Sequence, residues 1–162
     1  MGFKVIVSKS NLQFAASHFI TFGGKCELLH GHNYSVSLEI EGDLTSDGFV
    51  FDFVALKKIA RAILETLDHR FLLAMKNPHL MLQQDATSWE ICYKEDRYVL
   101  PLRDVKPLPV DNITAERLAE YIWGEVAREV CTYGAAQLTT LAVGVEEAPG
   151  QAAYYRNPIQ VN

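Results

Sequence analysis

The chain has 162 residues, 49% of them hydrophobic and 22% charged, with 15 Lys and Arg against 20 Asp and Glu for a net charge of −5. This length suits one well-cored domain and is short for two, and the composition excludes both a disordered tail and a membrane protein. No Lys/Arg block offers phosphate neutralisation, so neither a nucleic-acid nor a membrane partner is expected. The residues from Met1 to Lys9 carry only the apolar run Val5-Ile6-Val7, far shorter than a signal h-region, which gives a cytoplasmic expectation. Cys26, Cys92 and Cys131 are scattered and odd in number, so they encode neither a disulfide framework nor a zinc ribbon.

In chain order, Phe3 to Phe19 predicts a first strand, less regular than the second, in which Phe14, Ala16 and His18 share a face. Gly23-Gly24 marks a turn. Residues 34 to 40 alternate strictly, Tyr34, Val36, Leu38 and Ile40 against Ser35, Ser37 and Glu39, which predicts a strand buried on one side. From Asp52, a plausible cap, Leu56, Ile59, Ala60, Ile63, Leu64 and Leu67 form a helical stripe. Residues 77 to 111 fit neither period and read as an insertion-like excursion, with a small hairpin pairing Trp89, Ile91 and Tyr93 with Tyr98, Leu100 and Leu102. A second helix starts at Asn112 or Thr114, buries Leu118, Ile122, Trp123, Val126 and Val130, and stops at Gly134. Leu141, Val143 and Val145 alternate in a third strand, and the turn Pro149-Gly150 leads to a last one around Ala152 to Tyr155.

Chemistry concentrates in Cys26-Glu27-Leu28-Leu29-His30-Gly31-His32. Strand period two puts His30 and His32 on the face of Tyr34 and Val36, with Gly31 leaving room between them. A hairpin would bring His18 opposite the pair, and three imidazoles with an open position suit catalytic zinc. Two surface or hydrogen-bonded histidines are the plainer reading of HxH alone. Cys26 reads either as a small buried hydrophobe or as a thiolate favoured by Lys25 or by the metal. Asp68-His69 reads as a carboxylate orienting an imidazole or as a histidine drawn to a helix C-terminus. Glu147 shares the parity of Val143 and Val145, so a carboxylate faces inward and needs a partner, such as the paired N–H edge of a ligand. His79, Met75 and Met81 read as structural or surface residues.

These segments together resemble the 6-pyruvoyltetrahydropterin synthase / 6-carboxytetrahydropterin synthase family. The resemblance rests on Phe14-Ala15-Ala16-Ser17-His18, the run from Cys26 to Tyr34, Phe51-Asp52-Phe53 with Leu56-Lys57, Leu67-Asp68-His69, Thr114-Ala115-Glu116, and Val143 to Glu147 with Tyr155-Arg156. It implies an α+β tunnelling fold (T-fold) of order ββααββ, one domain over 1–162 whose four-stranded antiparallel sheet carries two helices on one face. It also implies closure into an oligomeric barrel, a homohexamer of two trimers with sites at subunit boundaries. By the same resemblance His18, His30 and His32 bind Zn2+, Cys26 abstracts a proton, and Asp68 with His69 forms an acid/base relay. Glu147 anchors the pterin, with a part in catalysis, and Thr114 lies at the ring-binding turn.

The implied activity is a zinc-dependent lyase that converts 7,8-dihydroneopterin triphosphate to 6-carboxytetrahydropterin, acetaldehyde and triphosphate on the route to queuosine. The short Cys26-to-His30 spacing resembles this carboxy-forming branch. A 6-pyruvoyltetrahydropterin synthase is the alternative, and a non-catalytic zinc protein or a zinc hydrolase of the same fold are others. Three departures stand out: Asn112-Ile113-Thr114 replaces the family's Asn-Pro-Thr, Glu147-Ala148 replaces Glu-Thr, and the segment between the helices is longer.

Overall fold

The computed structural model describes residues 2–134 and 136–159, side chains at 9–11 excepted. Strand β1 (Phe3–His18) pairs antiparallel with β4 (His30–Gly42), and between them a small hairpin joins β2 (Thr21–Phe22) to β3 (Lys25–Cys26). Gly23 and Gly24 both adopt positive φ, 55° and 74°, as a two-residue hairpin turn requires.

The irregularity of β1 has a concrete cause. Between the pairs Ser8–Ser37 and Gln13–Ser35, β1 advances from 8 to 13 while β4 moves only from 37 to 35. This bulge exchanges the faces: Val7 is buried before it, and Leu12, Phe14, Ala16 and His18 after it. Without it the inward residues of the two halves would lie on opposite sides of the sheet.

Helix α1 (Phe53–Glu65) is capped by Asp52, whose carboxylate accepts from the N–H groups of Val54 and Ala55. Helix α2 (Ala115–Cys131) starts at Thr114, whose hydroxyl oxygen accepts from Arg117 N–H. Their apolar stripes meet Tyr34, Val36, Leu38 and Ile40 of β4 in one hydrophobic core. Strand β10 (Leu138–Ala148) adds Leu141, Val143 and Val145 to the same core, and β11 (Gln151–Pro158) pairs along its outer edge. Trp123 is only half-buried and donates its indole N–H to the Leu141 carbonyl at 2.9 Å.

The main sheet has six strands, where four were expected. Its order is β11-β10-β4-β1-β5-β9, and β5 (Arg70–Ala74) and β9 (Val105–Leu108) run parallel where they join β1 and each other. Strand β5 lacks an alternating pattern because both its faces are buried. Leu72 and Ala74 enter the main core, while Phe71 and Leu73 enter a second cluster with Phe19, Trp89, Ile91 and Val105.

That second cluster underlies a three-stranded sheet of β6 (Met81–Gln84), β7 (Ser88–Tyr93) and β8 (Asp96–Pro101). The expected hairpin is present, with Trp89 opposite Leu100 and Ile91 opposite Tyr98. It turns more tightly than the sequence reading proposed: Tyr93 pairs with Asp96 across two residues, Lys94 has φ of 53°, and Leu102 falls in a short 3-10 turn instead of the strand. The excursion from Asn77 to Asp111 thus returns to the main sheet through β9. No helix among the described residues is long and apolar enough to cross a membrane.

Candidate metal centre and active site

His18 ends β1 directly opposite His30, and Ala16 is opposite His32, so strand pairing alone gathers the three imidazoles. Their nearest ligand nitrogens all lie within 4.8 Å of one another. His18 is 2% exposed, while His30 and His32 lie closer to solvent. Burial depresses the His18 pKa to about 4, partly offset by its bond to the Ile113 carbonyl.

Proton bookkeeping sharpens the site. His18 Nδ1 lies 2.8 Å from the Ile113 carbonyl oxygen, and His30 Nδ1 lies 2.7 Å from that of Leu28. A carbonyl can only accept, so each Nδ1 carries the proton and each neutral ring presents a bare Nε2. Those two Nε2 atoms face each other at 3.1 Å. Facing lone pairs at this distance are relieved by a shared proton or by a metal cation, and tetrahedral zinc with bonds of ~2.0–2.1 Å separates its nitrogens by roughly 3.3 Å. The three histidines therefore fit a zinc ion. The Tyr34 hydroxyl also approaches His18 Nε2, at 3.3 Å, and burial raises its pKa.

Gly31 serves a different purpose from the one expected. A side chain there would meet the backbone carbonyl oxygen of Ala16 at 2.8 Å, so the glycine permits close approach of β1 and is not clearance between imidazoles.

Glu147 sits where β10 bulges: Glu146 pairs with Ala152 and Ala148 with Gln151, leaving Glu147 without a partner on β11. It is half-buried, and burial raises its pKa, opposed by the nearby His32 and His30 and reinforced by Glu116 and Glu27. The carboxylate thus lies in the field of the histidine cluster. Glu27, to which the sequence reading gave no role, brings Oε2 to 4.0 Å from His30 Nε2. Its position three residues before a histidine was the available signal.

Cys26 is half-buried against the second hydrophobic cluster, and burial first, then Asp96 and Glu27, push its thiol pKa up. Lys25, suggested as a source of positive charge, does not pull the thiol pKa down.

Asp68 and His69 form the expected pair, with His69 Nδ1 2.8 Å from Asp68 Oδ2. Asp68 also accepts from Ala15 N–H at 2.7 Å, the main cause of its lowered pKa. His69 occupies the left-handed region at φ 54°, held there by its N–H donating to the Ala15 carbonyl at 2.6 Å. Its side chain is 80% exposed. It lines a cavity of about 530 Å³ with Ser17, Gly31 and Asn33, and the same cavity reaches His32 of the histidine cluster. Within one chain, then, Glu147 feels the charge of His32 and His30, while His69 opens onto a cavity that reaches the cluster at His32.

Comparison with known proteins agrees with this fold. The family profile described as 6-pyruvoyl tetrahydropterin synthase matches residues 7–158. A protein of Methanocaldococcus jannaschii named putative 6-carboxy-5,6,7,8-tetrahydropterin synthase is 31% identical over 153 residues, 94% of each chain. Among solved structures, 6-pyruvoyltetrahydropterin synthase of Plasmodium vivax, in a variant replacing a catalytic glutamate by alanine, superposes with a TM-score of 0.93. It is 31% identical over 98% of this chain and 99% of its own. The Plasmodium falciparum 6-pyruvoyl tetrahydropterin synthase gives 0.92 at 30% identity, with the same coverage. With nearly the whole length matched in both sequence and fold, this chain belongs to the 6-pyruvoyl tetrahydropterin synthase family.

Proposed function

We propose that this protein is a zinc-dependent 6-carboxy-5,6,7,8-tetrahydropterin synthase acting on 7,8-dihydroneopterin triphosphate. The observation that carries the reading is the pair of Nε2 atoms of His18 and His30, 3.1 Å apart beside His32. The names of the sequence relatives from Methanocaldococcus jannaschii and Bacillus subtilis support the carboxy-forming branch. Zinc held by the three histidines would polarise the substrate's side-chain hydroxyls and lower the cost of losing an adjacent proton.

Every other role falls to the chain's own groups. Glu147 accepts two ring N–H bonds of the pterin and fixes its orientation. Thr114 offers the ring its hydroxyl proton, because only its oxygen is used in capping α2. Cys26 takes the substrate proton: a raised pKa leaves less thiolate, and the thiolate that forms is a stronger base. Asp68 holds the Nδ1 proton of His69, leaving Nε2 to exchange a proton with the substrate. The chain is a cytoplasmic homohexamer of two trimers, and its product feeds 7-deazaguanine nucleosides such as queuosine.

Glu27 favours a second reading. The Plasmodium vivax relative is named a 6-pyruvoyltetrahydropterin synthase with a catalytic glutamate, and here the Glu27 carboxylate stands 4.0 Å from His30. Acting as base in place of Cys26, it would serve triphosphate elimination with internal redox. Incubation of the zinc-loaded protein with 7,8-dihydroneopterin triphosphate separates the two. Acetaldehyde equimolar with triphosphate, lost by about 10²–10⁴-fold in Cys26→Ala with zinc retained, supports the carboxy reading. Triphosphate without acetaldehyde, abolished by Glu27→Ala and kept by Cys26→Ala, supports the pyruvoyl reading, and release of neither rejects both.

A further inference from the structure

The two carbonyls that set the histidine tautomers are held in very different ways. Leu28, the acceptor for His30, lies two residues away in the same turn, whereas Ile113, the acceptor for His18, is 95 positions distant. Something must hold the segment before α2 at the end of β1.

Asn112 does this by imitating a peptide group. Its Oδ1 accepts from Thr21 N–H at 3.2 Å and from Ile113 N–H at 3.1 Å, and its Nδ2 donates to the Thr21 carbonyl at 2.8 Å. Thr21 is free to be paired this way because a two-residue turn makes Phe22 and Lys25 the pair that exchange hydrogen bonds. The peptide groups of Thr21 then point away from Cys26, which lies across the hairpin from it. Thr21 is itself buried, and its hydroxyl accepts from Asn77 Nδ2 at 2.9 Å. One carboxamide therefore connects the hairpin carrying Cys26 to the carbonyl that orients His18.

We propose that Asn112 is a positioning residue: by clamping Thr21 to the Ile113 segment it fixes the Nδ1–H tautomer and ring orientation of His18 at the metal, with Cys26 held in register. The inference rests on the metal reading above. Groups that orient a ligating histidine typically matter about 10–100-fold in metal affinity. Asp is a poor substitute here despite its shape, since it offers no donor to the Thr21 carbonyl.

The test uses the full chain, measuring zinc affinity by competition with a chromophoric chelator, the visible spectrum of the cobalt-substituted protein, and the thermal midpoint. Asn112→Ala and Asn112→Asp should weaken zinc binding about 10–100-fold and alter the cobalt bands. Thr21→Val is the control, because it removes only the hydroxyl contact to Asn77 and leaves intact the backbone groups that Asn112 uses. It should lower the thermal midpoint while holding zinc affinity within about twofold of wild type. The proposal is overturned if the Asn112 variants keep wild-type affinity, which would mean that packing of Ile113 suffices, or if Thr21→Val matches their loss. Should Asn112→Ala not fold, the near-isosteric Asp variant decides by the same criteria. A wild-type protein that takes up neither metal refutes the metal reading itself, whereas tight wild-type binding with unaffected variants refutes only the role of Asn112.

Discussion

A proton on Nδ1 decides what the other nitrogen of an imidazole can do, and in His18 and His30 a main-chain carbonyl makes that decision. Glu147 depends on its neighbours too, since its half-buried carboxylate feels the charge of His32 and His30. Glu147→Ala should weaken pterin binding by about 1–3 kcal/mol, because two ligand N–H groups would be buried without acceptors. Isothermal calorimetry with a pterin ligand checks this, alongside elemental analysis that should find zinc unchanged. Equal affinity in the variant would leave Glu147 with a purely structural role. Strand parity made the three histidines and Glu147 legible in the sequence, because period two is a local property. Tyr34 read only as a core residue, and Asn112 as a helix cap within a family turn, since their polar contacts reach across 16 and 91 positions.

Among the elements, β1 and β5 depart most from simple patterns. The bulge of β1 blurred its alternation, and β5, apolar on both faces, offered no alternation to detect. The junction of β1 with β4 carries chemistry. Gly31 on β4 lets the Ala16 carbonyl approach, and that contact is backbone, which cannot swing aside. Gly31→Ala should separate β1 from β4 beside the histidines, lowering both the thermal midpoint and zinc affinity. A variant with wild-type values for both would show that the strands yield without cost. Asp68 joins the end of α1 to β1 through Ala15 N–H. A hydrogen bond to a charged group contributes ~1.5–3 kcal/mol, and exposure of this carboxylate reduces that to about 1 kcal/mol.

The sign of its pH dependence follows from the lowered pKa. A carboxyl that binds its proton more weakly in the folded state than in the unfolded state stabilises the fold above the ordinary value of 3.8. The contribution disappears as pH falls below that value and through the folded-state pKa. Asp68→Ala should therefore be less stable than wild type at neutral pH, and the gap should close on acidification below pH 3.8. Urea unfolding at several pH values measures it, and a gap independent of pH would assign the effect to the loss of packing.

At the scale of the whole molecule, the ordering of β strands and the two helices followed from period and caps, while the two extra strands did not. Parallel β5 and β9 are recruited by a crossover and by the excursion, and their pairing partners lie far away in sequence. The sheet has β11 at one edge and β9 at the other, among the described residues, and copies of the chain meeting at these edges would close it. For the proposed hexamer, light scattering should give the mass of six chains, and a monomer at micromolar concentration would reject the barrel.

Sites at the subunit boundaries of the proposed hexamer would have a genetic consequence. In the proposed hexamer, with its sites at subunit boundaries, Glu147 and the histidines come from one chain and Asp68 with His69 from another. Defects in the two groups are then complementary alleles. Glu147→Ala and His69→Ala chains, each inactive alone, should regain activity when unfolded together and reassembled at equal amounts, with roughly a quarter of the sites drawing both intact groups. Mixed assemblies as inactive as their parents would mean that each chain builds its own centre.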